Sequence, residues 1–178
     1  MSSGAPHITP IQPFDHVLGQ SSARVALIEY GDFECPACAQ AHTAVKIILN
    51  RFGDQVRFAF RHFPLTEVHP HAELAAEAAE AAGAQGKFWQ MHDLLFTHPL
   101  HLKPNNLRQY AADLELDLER YDYEMKDHVY LQRVQEHLAS GRQAGVRSTP
   151  GFFVNGRAVD VSFGLQHLEQ AIEQAAKK

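Results

Sequence analysis

The chain has 178 residues, 45% of them hydrophobic and 21% charged, with a formal net charge of −5. That length supports one sizeable core with room for an inserted subdomain, while acids and bases are interspersed and leave no basic stripe for a phosphate backbone, which argues against a nucleic-acid partner. The apolar stretches run for only a few residues, far short of the ~20 that span a bilayer, so no membrane helix is expected.

Residues 1–23, "MSSGAPHITPIQPFDHVLGQSSA", read as a surface lead-in. They carry neither a basic n-region nor an apolar h-region, so the expectation is a cytoplasmic protein, or a periplasmic one whose signal has been removed. "RVALIEY" (24–30) has the apolar, β-branched character of a central strand. A helix should follow, because Ala41, Ala44, Val45, Ile48 and Phe52 recur at spacings of three and four. After a turn at Gly53-Asp54, "QVRFAFRHF" (55–63) alternates Val56, Phe58 and Phe60 against Arg57, Ala59 and Arg61, as a second strand would.

From about Pro70 to Gly145 the period is helical, beginning with "HAELAAEAAEAAGAQ", a run of good helix formers. Trp89 with Phe88, Met91, Leu94 and Leu95 reads as packing within this block rather than as a cofactor box. "STPGFFVNGRAVDV" (148–161) predicts a β-hairpin around Asn155-Gly156. A final helix is predicted from about Ser162, with Leu165, Leu168 and Ile172 on one face. The order is β-α-β, a block of helices, then β-β-α. This is an α/β fold in which 24–65 and 146–178 share one sheet and 66–145 forms an inserted all-helical subdomain.

"GDFECPACAQAH" (31–42) holds both cysteines of the chain. With Cys35 where strand gives way to helix, Pro36 takes about the first helical position, where its fixed φ fits and its missing N–H costs nothing. The unpaired N–H groups and partial positive charge of that helix end then lie beside the Cys35 sulfur and favour the thiolate, the nucleophile of disulfide exchange. Cys38, one turn on, shares the apolar face and should be the more buried sulfur, suited to resolving a mixed disulfide. A CxxC beside a βαβ pattern is itself a redox signature. C-x2-C-x3-H spacing to His42 would also permit a zinc or copper site. A structural zinc site takes four ligands, however, and no second cysteine pair exists. His42 is accordingly expected to be an ordinary, partly exposed helix residue, and the other histidines, including "HPH" at 69–71 and "HPLH" at 98–101, to be scattered ones. No metal, nucleotide or flavin cofactor is expected.

"ALIEYGDFECPACAQAH" together with "VRSTPGFFVNGR" resembles the DsbA-like disulfide oxidoreductases of thioredoxin fold, over about residues 24–176. The resemblance implies Cys35 as the exposed nucleophile, Cys38 as resolving thiol, and Pro150 as a cis-proline facing the pair, with Thr149 offering backbone groups to an extended substrate segment. Read without the resemblance, Thr149-Pro150 could equally be a trans turn. The resemblance places Glu29 beneath the site as an acid that moves a proton to or from Cys38, and burial would raise its pKa. An acid reaching solvent at the strand end is the other reading. Phe33 could contribute an apolar rim for substrates or belong to the core. Pro36 and Ala37 separate the cysteines at the substrate-facing surface. Strong oxidants of the family carry a histidine where Ala37 stands, so a less oxidising couple is expected.

The implied function is thiol–disulfide exchange with protein or peptide thiols through the CPAC site, by a monomer, with electrons passing to or from another protein or glutathione. The rival readings are a glutathione-dependent transferase or isomerase on the same architecture, whose members usually have serine at the nucleophile position, and a Cys/His metal-binding protein.

Overall fold

The computed structural model describes residues 8–178. The chain divides into two compact units, one holding the residues up to Gly31, Gln40–Arg61 and Ala139–Lys178, the other Asp32–Ala39 and His62–Leu138.

The first unit is built on a five-stranded sheet of order β1-β3-β2-β4-β5. Its strands are β1 (His16–Leu18), β2 (Val25–Gly31), β3 (Val56–His62), β4 (Gly151–Val154) and β5 (Arg157–Val159). Helix α1 (Pro36–Phe52) carries the chain from β2 to its neighbour β3. β4 runs antiparallel to β2, with Glu29 opposite Phe152 and Tyr30 opposite Gly151.

The lead-in differs from its expectation. Residues 1–7 lie outside the described residues, but residues 16–18 form a strand antiparallel to β3, with His16 opposite Phe60. Three residues are too few to show a period. The link out of this strand depends on Gly19, whose φ is +93° and where a Cβ would come within 2.4 Å of the Val56 carbonyl oxygen. β3 also departs from a half-solvated strand, because Ala59, Arg61 and His62 are buried alongside Phe58 and Phe60. An interior strand of a covered sheet has no solvent face.

At the hairpin, Asn155 and Gly156 adopt φ values of +48° and +81°, the left-handed pair of a type I′ turn. The Asn155 side chain accepts the Ala26 N–H at 2.7 Å and donates to the Arg24 carbonyl at 3.3 Å, which ties the turn to the start of β2. The final helix spans Gln166–Ala176 and packs on β2, β4 and β5. It starts later than Ser162 because the Ser162 N–H turns back to Asp160 and Gly164 takes a φ of +126°.

The second unit contains α2 (Ala72–Ala84), α3 (Phe88–Thr97), α4 (Pro104–Asp113), α5 (Leu118–Lys126) and most of α6 (Leu131–Gln143); the final helix is α7. α2 is its axis and packs against α3, α4 and α5. Seven of its alanines are buried, so neighbouring helices approach its backbone closely. Phe88 and His92 pack edge-on against Trp89, both at 5.0 Å. Where the sequence suggested an insertion over 66–145, the helical unit takes in Asp32–Ala39 as well and ends at Leu138.

Candidate active site

Cys35 and Cys38 flank the first turn of α1. Helix α1 starts at Pro36, the first N–H to reach back is that of Ala39, which donates to the Cys35 carbonyl at 3.1 Å, and Cys35 is therefore the cap residue. Its sulfur is attached at the end of the helix where N–H groups point outward and the dipole is positive. Pro36 and Ala37 are exposed, Cys35 keeps 7% of its surface and Cys38 none. Both cysteines are therefore buried, so Cys35 is not the exposed residue expected of it, although it keeps more surface than Cys38.

The three residues before Cys35 form a compact turn. The Cys35 N–H donates to the Asp32 carbonyl at 3.1 Å, and the Glu34 N–H to the Asp32 carboxylate at 2.7 Å. Phe33 is 1% exposed, its ring 4.7 Å from Phe96, 5.7 Å from His92 and 6.0 Å from His62. Of the two roles open to Phe33, the structure selects core: a ring enclosed on these sides offers no rim to a substrate. Beneath it, the His62 ring donates to Glu80 at 2.8 Å, Arg133 reaches the second Glu80 oxygen at 2.9 Å, and the His62 backbone N–H donates to the His137 ring at 3.1 Å.

The loop 65–71 reaches the same turn. The Asp32 carboxylate accepts the Leu65 N–H at 2.9 Å and the His69 ring N–H at 2.8 Å. The Glu34 carboxylate accepts both the ring and the backbone N–H of His71, at 2.8 and 2.7 Å. The histidines of "HPH", expected to be scattered ones, are thus partnered; the signal in the sequence is two acids spaced i, i+2 before a cysteine and two histidines spaced i, i+2 elsewhere.

In the sheet unit, Glu29 is 1% exposed on β2, so it does not reach solvent. Its carboxylate lies close over Gly31, where a Cβ would stand 3.2 Å from Oε1 and 2.5 Å from the Phe60 ring. Only glycine fits there. Two residues ahead of Phe152, the residue opposite Glu29, the Thr149–Pro150 peptide is cis and Thr149 is buried. His42, expected partly exposed, is buried on the inner side of α1, because it falls between Cys38 and Val45 on the packed face.

The chain resembles known proteins in fold and sequence. The profile of the family described as Thioredoxin matches residues 12–174. Among solved structures, BdbD from Bacillus subtilis superposes with a TM-score of 0.86 at 20% identity, covering 98% of this chain and 99% of that one. A thioredoxin-like oxidoreductase from Silicibacter pomeroyi superposes at 0.79 and 26% identity, covering 94% and 95%. Among curated sequences, a protein of Salinispora arenicola called Na(+)/H(+) antiporter NhaA 1 is 46% identical over 94% of this chain. The chain spans 26% of the length of that relative.

Proposed function

Because the chain belongs to the thioredoxin family, we propose that it is a thiol–disulfide oxidoreductase working through Cys35 and Cys38. The observation that carries this reading is the cap position of Cys35 at a helix N-terminus, where it keeps 7% of its surface while Cys38, within the first turn, keeps none. In the reductive direction the Cys35 thiolate attacks a substrate disulfide, an S–S bond forms to Cys35 and the departing sulfur leaves as a thiolate that takes up a proton. The Cys38 thiolate then attacks the Cys35 sulfur, the second substrate sulfur departs, and the protein is left with a Cys35–Cys38 disulfide and two electrons fewer. An outside dithiol or glutathione restores it. In the oxidative direction the same steps run backwards.

Glu29 serves in this scheme as the buried acid that exchanges a proton during turnover. Thr149, ahead of the cis Pro150, offers backbone groups to an extended substrate strand, and Pro36 and Ala37 form the exposed surface a substrate meets first. The test is reduction of insulin disulfides by the full chain. Cys35→Ser is expected to abolish turnover, by more than about a hundredfold. Cys38→Ser is expected to lose turnover equally while accumulating a mixed disulfide on Cys35. Wild-type rates in both variants would overturn the reading, and conjugation of glutathione to small electrophiles with insulin untouched would favour the transferase alternative. Equilibration in glutathione buffers gives the potential, and with it the working direction.

The partner is a second proposal, suggested by the 46% identical relative named as a sodium–proton antiporter. We propose that thiols of such an antiporter are among those this chain exchanges with. Trapping by the Cys38→Ser variant should recover it as a mixed disulfide.

A further inference from the structure

Two carboxylates, Asp32 and Glu34, stand within three residues of Cys35. Left facing the sulfur, they would oppose its ionisation, since a like charge nearby disfavours the anion. In the structure both are taken up by one loop. Asp32 is the inner pillar: its carboxylate is fully buried and receives the Leu65 N–H, the His69 ring and the Glu34 N–H, while its carbonyl receives the Cys35 N–H. Glu34 is the outer one, with 19% of its side chain exposed and its histidine partner 37% exposed. One Glu34 oxygen takes the His71 ring N–H and the other the His71 backbone N–H, at the residue that opens α2. Its negative charge therefore rests on a second helix N-terminus and on a ring that can carry a positive charge. Pro70, between the two histidines, limits the loop backbone and keeps their spacing set.

We infer that the Glu34–His71 pair sets how readily Cys35 ionises, with Asp32 and His69 holding the loop on which the pair meets. His71 is a positioning residue: it acts by directing the Glu34 carboxylate. Both members of the Glu34–His71 pair keep some exposure whereas the Asp32 carboxylate keeps none, so the outer pair is the one adjustable at little structural cost. This inference rests on the thiol-exchange reading for its purpose but not for its measurement.

The experiment uses the reduced full chain carrying Glu34→Gln, His71→Ala, or both. Ultraviolet absorbance of the thiolate followed against pH reads Cys35, and the thermal midpoint reads folding. A unit charge turned toward a neighbouring sulfur in a partly aqueous setting changes the thiolate fraction about three- to tenfold. His71→Ala is expected to lower that fraction by such a factor at a fixed pH below the midpoint. Glu34→Gln is expected to raise it, and the double variant to follow Glu34→Gln alone. Thermal midpoints should move by about 3 °C or less, as befits a half-exposed pair. Unchanged titrations, or a His71→Ala effect that persists in full when Glu34 is already glutamine, would overturn the inference. Failure of the wild type to reduce insulin would instead strike the thiol-exchange reading and leave this titration to be judged separately.

Discussion

Arg61 occupies β3 with 3% of its surface exposed and its charge fully answered. Asp15 receives it through two hydrogen bonds of 2.8 and 3.1 Å, and the carbonyls of Thr9 and Pro10 and the Tyr30 hydroxyl take the remaining donors. Burial, the largest influence, lowers its pKa, but Asp15 and Tyr30 together raise it above the ordinary arginine value, so the guanidinium stays charged. Arg61→Met should cost about 3–5 kcal/mol, because Asp15 is left ionised and enclosed; urea denaturation measures it. The alternation of "RFAFR" identified a strand but not this environment, since the partners lie 31 to 52 residues earlier in the chain. The same holds for His69 and His71, whose acids are 37 residues away. Glu29, by contrast, was legible, because a lone acid within an apolar run has few places to go except inside.

α2 shows how an element can be located correctly and still misjudged. Its alanine content marked a helix through propensity, yet Ala75, Ala78, Ala79, Ala81 and Ala82 are fully buried and allow α3, α4 and α5 to pack close. Propensity marks a helix without telling whether its alanines face solvent or neighbouring helices, and here its buried face includes two partnered acids, Glu77 and Glu80. Ala79→Leu is expected to destabilise the fold by about 1–3 kcal/mol through overpacking, measured by thermal or urea unfolding with the Cys35 titration unchanged. β1 was missed for the opposite reason. A three-residue strand has no period, and it exists because β3 offers it a partner. The long apolar runs, α1 and the Asn-Gly hairpin were legible because each is specified locally.

At the scale of the whole chain, stability should depend on pH through Glu77, a buried acid of the helical unit. Glu77 is held by His128 at 3.0 Å. Burial, the largest influence, raises its carboxyl above the ordinary value of 4.5, Glu73 adds to the rise, and His128 opposes it. A carboxyl whose folded value exceeds its unfolded one stabilises the fold below the unfolded value and loses that contribution as pH rises through the folded value. Glu77→Gln should therefore look most harmful at low pH, and its cost should shrink as pH climbs from 4.5. Urea midpoints of both proteins over a pH series check this; a constant difference would sink it. The division into units, in contrast, could not be read locally, because Asp32–Ala39 joins the helices through contacts with residues 62–96 rather than through its neighbours in sequence.

The hairpin tie at Asn155 bears on how the protein ages. In a loose chain, an asparagine followed by glycine is prone to lose ammonia, because the next backbone nitrogen can close on the side-chain amide. Here that amide is occupied at both ends, by the Ala26 N–H and the Arg24 carbonyl. Folding thus shelters the bond most vulnerable to slow hydrolysis. Were the conversion to occur, the new carboxylate would face the Arg24 carbonyl with an oxygen where a donor had been, loosening the turn from β2.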